Sequence, residues 1–204
     1  MKAPEIVRFK VDLRTYLQGK QRLFRCGTEK VLADVNQFTS AIVRSDFQQA
    51  LATLEIHTSA DRPFIEVCDE IIERHGSFLN ETDRDLMAKS LLEAYIYAAG
   101  SENAFEPANK TRVTAYLRRR GPKGFAASLL SLYLFNLISL EIQDDVRAKT
   151  PDLKSFEISM LWVETECRQI VTAAMPASDG NLDETWAAAV CGNIERRLLS
   201  SQHS

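Results

Sequence analysis

The sequence contains no CxxC pair, and its four cysteines, Cys26, Cys68, Cys167 and Cys191, stand far apart. That spacing supplies neither a zinc motif nor a redox dithiol, and it fits reduced thiols in the cytoplasm better than a disulfide framework. Long apolar runs are missing too. The longest stretch without charge, Phe125 to Leu140, is 16 residues and includes Ser128, Ser131, Asn136 and Ser139. A bilayer span takes about 20 predominantly apolar residues, so a buried helix and no membrane partner are expected. The opening "MKAPEIVRFKVDLR" interleaves charge with apolar residues and offers no signal-peptide core. Serine nucleophile elbows, glycine-rich nucleotide loops and HExxH are absent, so no catalytic residue, metal ligand or cofactor is assigned. There is no internal repeat and no low-complexity tract.

What is present describes a globular helical protein. Apolar residues make up 45% and charged residues 26% of the 204, which argues against wholesale disorder. The length suits one sizeable core, and one helical domain over 1–204 is expected, with residues 101–107 as the place where it would divide.

Helix punctuation recurs along the chain. Pro4 suits a first helical position, and Cys26-Gly27 reads as the end of that helix. Leu32, Val35, Phe38 and Ile42 form a helical stripe; "SDFQ" at 45–48 reads as a capping box before Phe47, Leu51 and Leu54. Further helices run from Pro63 to His75, stopping at Gly76, from Asn80 to about Gly100, and from about Ala108 to Arg120, where Gly121-Pro122 ends the last of them. The Phe125 helix continues to about Arg147. Thr150-Pro151 opens the next, with Leu153, Phe156, Met160, Val163, Cys167, Ile170 and Ala174 inward. "NLDE" from Asn181 caps the last, which buries Trp186, Val190, Ile194 and Leu198. The fold class is therefore all-α: a bundle of eight or nine helices around a buried central helix at about 125–147. Residues 6–17 fit two patterns. A helix is preferred, whereas a strand would make 1–27 a separate arm that pairs with another protein.

The formal charge of −3 hides sorting into blocks. Residues 1–30 carry +5, residues 31–106 carry −9, residues 107–140 carry +6 with no acid, and residues 141–204 carry −5. Such blocks either attract one another within the fold or dress a surface for a charged partner. The acid-free block contains "LRRRGPKGF" at 117–125. Arginines in a last helical turn complement the helix dipole. Lys123, at the start of the following helix, does not, and that start lacks a Ser, Thr, Asp or Asn cap. Arg112, Arg118, Arg119, Arg120 and Lys123 are therefore the candidate anion- or nucleic-acid-binding residues, with contacts to backbone phosphate if nucleic acid is the partner.

Other constellations read as structure first. Glu66, Asp69, Glu70 and Glu73 share one face of a helix, as a solvated acidic stripe does. His75 lies in phase with Cys68, yet nothing orders a third member of a catalytic set. Glu70-x-x-Glu73 with Glu141-x-x-Asp144 is similar to the carboxylate pairs of all-α nucleoside triphosphate pyrophosphatases, at a much longer separation. The gap from Arg197 to His203 resembles that of helical ribonucleases of the HEPN class, although Leu198 stands where that motif usually carries a polar residue. The function expected is a non-catalytic helical interaction module, an adaptor or subunit of a larger complex with protein partners. The alternative is a nucleic-acid-backbone binder or a small HEPN-like ribonuclease. A homo-oligomer is compatible with either.

Overall fold

Val31, Leu32, Val35, Phe38 and Ile42 recur at helical spacing, and all five are buried along α2 (Cys26–Arg44). The same rule builds the rest of the computed structural model, which describes residues 12–17, 20, 22–56, 63–101, 109–177 and 181–199. A single turn, α1 (Leu13–Tyr16), precedes α2. After it come α3 (Phe47–Thr53), α4 (Phe64–Arg74), a 3-10 turn (Gly76–Phe78) and α5 (Glu81–Ala99). The chain then continues through α6 (Asn109–Lys149), α7 (Leu153–Ala174) and α8 (Glu184–Leu199). Of the described residues 84% are helical and none is in a strand, so the class is all-α, with seven helices longer than one turn. The count is below eight or nine because the two helices expected at 108–120 and 125–147 are arms of one element. The expected first helix is also described only from residue 12.

α6 supplies the centre. Its second arm buries Phe125, Leu129, Leu130, Tyr133, Leu134, Ile138, Ile142 and Val146, with α5 and α7 packed along it. An 18-residue window of α6 reaches a mean hydropathy of 1.7, enough in length and composition for a membrane span, but 56% of it is buried inside the bundle. Phe64 joins the layers. Its ring stacks on Tyr95 at 5.0 Å and meets Phe38 at 5.4 Å and Phe125 at 6.2 Å, tying α4 to α5, α2 and α6.

Three helix starts differ from the sequence expectation, all in the same way. Asp46 rather than Ser45 caps α3, accepting from the Gln49 N–H at 2.9 Å. Asp152 rather than Thr150 caps α7, accepting from the Ser155 N–H at 2.7 Å, and Asp183 rather than Asn181 accepts from the Trp186 N–H at 3.0 Å. The hydroxyls of Ser45 and Thr150 instead donate back to the carbonyls of Ala41 and Val146, closing the preceding helices. Asn80 caps α5 as expected, accepting from the Asp83 N–H at 2.7 Å, and Gly100 closes it in the left-handed region.

Gly27 reverses its expected role. It lies in the first turn of α2 and permits close packing: a Cβ there would sit 2.7 Å from both the Leu79 side chain and the Phe78 carbonyl oxygen. Leu153 is the other reversal. It is 57% exposed, because α7 buries a narrow seam of Ser155, Ser159, Val163, Cys167, Val171 and Ala174. Of the segment 6–17, residues 6–11 lie outside the described residues, and in 12–17 the backbone forms the helical turn α1. Within them, Leu13 and Leu17 are buried and the Tyr16 hydroxyl donates to Asp145 near the end of α6.

Candidate functional site

Gly121 decides the geometry of the basic turn. Its φ of 73° and ψ of 163° interrupt α6, a conformation open essentially to glycine alone, and Pro122 then restarts the helix with its fixed φ. The first arm buries Val113 and Leu117 against the core, leaving Arg112, Arg118, Arg119 and Arg120 exposed. Gly121 therefore stands directly after three consecutive arginines on the outside of the bundle.

The five candidate residues do not converge on one point. Arg118 and Arg119 border an open recess of about 680 Å³ between α6 and the α2–α3 corner, together with Lys110, Thr111, Thr114 and Ser45. The Lys110 ammonium lies over the Phe47 ring at 3.9 Å from its centroid. Arg112 donates to Asn109 Oδ1 at 3.3 Å. Arg120 faces a different cleft, between α5, α6 and α7. Lys123 turns away from the arginines and donates its ammonium to the Pro176 carbonyl beyond the end of α7.

That last contact belongs to a set. Arg197 donates to the Ala173 carbonyl at 2.8 Å and Asn193 to the Ala174 carbonyl at 3.1 Å. α7 ends without a glycine, so its terminal carbonyls draw side-chain donors from α8 and α6, two of them cationic and matched to the negative end of the helix. Lys123, in phase with nothing at its own helix start, has its partner 53 residues further on.

The two basic blocks of the sequence behave differently. In the N-terminal block three of the described cations pair with the acidic blocks, Lys20 with Glu141, Arg25 with Asp83 at 2.7 Å and Lys30 with Glu184 at 3.6 Å, and Arg22 pairs with Glu29 of its own block. Arg118, Arg119 and Arg120, by contrast, make no ion pair or side-chain hydrogen bond among the described residues. Attraction within the fold thus engages the described cations of the first block and leaves the middle of the second unspent.

The remaining constellations dissolve into structure. His75 Nε2 lies 3.0 Å from Asp34 Oδ2, while Cys68 is buried, and that burial pushes its thiol well above the ordinary range, away from the nucleophilic thiolate. Burial likewise pushes Cys167 up to about 12. Glu73 pairs with Arg84 on the outside of α4, and Glu141 is held by Lys20. No group of three His, Cys, Asp or Glu side chains among the described residues could hold a metal ion. Arg197 is committed to Ala173, and His203 lies outside the described residues.

Comparison with known proteins returns no match: no protein-family model, no curated protein and no solved structure. The fold and the basic turn therefore stand on their own geometry.

Proposed function

We propose that the chain is a non-catalytic, cytoplasmic interaction module, an adaptor or subunit of a larger complex, that presents the end of the first α6 arm to an acidic protein surface. The observation that carries this reading is the unpaired state of three consecutive arginines, Arg118, Arg119 and Arg120, whereas the described cations of the N-terminal block pair with carboxylates. The three exposed guanidiniums do not converge, Arg118 and Arg119 bordering one recess and Arg120 another, which suits an extended acidic surface better than a single small anion. The same arginines would neutralise backbone phosphates, so a nucleic-acid partner is the second reading.

Charge reversal separates the two. Arg118→Glu, Arg119→Glu and Arg120→Glu introduced together should leave the fold intact, because all three side chains are exposed. Co-purification of the wild type and this variant from native cells is then scored for protein and for nucleic acid. A protein partner lost from the variant and weakened by salt supports the module. Nucleic acid lost in its place transfers the site to the second reading, and unchanged recovery of both removes the arginines from any site.

A further inference from the structure

The cleft beside Arg120 holds about 600 Å³ and runs where α5 and α7 diverge across α6. Its floor is made by Gly124, Ala127, Ser128 and Ser131, side chains too small to fill the space between the flanking helices. Ile96 and Tyr97 wall it on α5, and Leu132 and Phe135 continue it along α6. Tyr97 stands 62% exposed with its ring edge-on to Tyr116 at 6.0 Å. On α7, Glu164, Arg168 and Thr172 form the opposite wall, and Leu161, 61% exposed, lies one turn earlier in phase with them.

Three properties describe the occupant. From Gly124 to Phe135, beyond the break at Gly121, the floor follows about 16 Å of helix, the length of three turns. Small floor residues beneath aromatic walls let another helix axis approach closely and bury an apolar stripe, as helix-in-groove recognition requires. Charge supplies the third. Glu164 is paired with Arg168 at 2.9 Å, and Glu93 accepts from Asn136 at 2.9 Å, so the acids of the cleft are engaged. Arg120 at its end has no such partner among the described residues.

We propose that this cleft receives an amphipathic α-helix of a partner protein, apolar along one stripe and bearing an acid beside Arg120. The inference rests on the reading of the chain as an interaction module and names the partner's binding element. Arg120 links the two surfaces: Arg118 and Arg119 face the neighbouring recess, so a partner helix seated in the cleft brings the rest of its chain across the arginine arm.

The test uses the full chain and a displayed library of amphipathic 18-residue helices as probe. Helices sharing an apolar i, i+4, i+7, i+11 stripe and an acid at one end should be selected, and their hydrogen-exchange footprint should cover 96–97, 120–135 and 161–172. Ser128→Trp fills the floor and should weaken them by about tenfold or more. Tyr97→Ala, at a position too exposed to disturb folding, should also weaken them, and Arg120→Glu should exchange the preferred acid for a base. Failure to select any helix, or binding indifferent to Ser128→Trp and Tyr97→Ala, overturns the proposal. So does a homodimer in solution that Ser128→Trp dissociates, since the cleft would then serve a second copy. The double variant Arg118→Glu, Arg119→Glu should leave the library helices bound while losing the charge-dependent partner, so the two readings fail separately.

Discussion

Gly27→Ala is a demanding test of the packing described here, because local propensity and tertiary contact predict opposite signs. A glycine inside a helix gains about 0.5–1 kcal/mol when replaced by alanine. At position 27, however, the new methyl would sit 2.7 Å from Leu79 Cγ, from Leu79 Cδ2 and from the Phe78 carbonyl oxygen. Carbon contacts are comfortable at about 3.5–4.0 Å, and overpacking of this kind costs about 1–3 kcal/mol. Leu79 is itself buried, and the Phe78 oxygen is backbone, so neither can simply swing aside. The expected net loss is about 1–2 kcal/mol, or a fall in melting temperature of roughly 2–8 °C for a chain of this size. Gly192→Ala is the internal control. It lies within α8 with nothing within 4 Å of an added Cβ, so it should raise the melting temperature by a few degrees through propensity alone, on the order of 0.5–1 kcal/mol. Calorimetry on the two single variants reads both signs. If Gly27→Ala melts at or above the wild type, the contact between the start of α2 and the 3-10 turn is not as close as described.

Gly121→Ala forces a side chain into the conformation that breaks α6, and a loss of about 1–3 kcal/mol is expected in urea unfolding. Lys123→Met should cost about 1 kcal/mol and speed hydrogen exchange at the last turn of α7, without weakening a partner held by Arg118–Arg120. Glu29, buried beside α8, has its carboxyl raised above the usual range chiefly by that burial and further by Glu195 and Glu184, with Arg22 opposing. A raised carboxyl favours the protonated form on folding, so its contribution is most favourable below about pH 4.5 and is lost as the pH climbs through the folded-state value. Glu29→Gln should therefore melt higher than the wild type at pH 7, with the gap closing as both are taken towards pH 4.

Helix identity was readable because the stripes are long. Val190, Ile194 and Leu198 lie four apart and are all buried, and no tertiary information is needed to see it. Two of the caps fall one or two residues beyond Ser45 and Thr150 because each of these hydroxyls has two uses and in the fold bonds backwards to the helix before it. Glycine usually ends helices, so the sequence points to Gly27 as a terminator, whereas in the fold it makes room for Leu79, 52 positions away. Of the candidate site, the arginines and the break at Gly121 were legible. The commitment of Lys123 to Pro176 was not, because a partner that distant in sequence carries no local signal. The cleft between α5, α6 and α7 was invisible for the same reason: small residues on α6 look like ordinary helix until two neighbours fail to cover them.

The three donors at the end of α7 come from two different helices, Lys123 from α6 and Asn193 and Arg197 from α8. This makes the α7 terminus a mechanical joint. Lys123 lies on the second arm, two residues past the break at Gly121, so its bond to Pro176 ties the start of that arm to the end of α7, while Val113 and Leu117 hold the arginine arm to the core separately. A displacement of the α7 terminus would be shared at once by α6 and α8, and the break at Gly121 keeps the arginine arm outside that linkage.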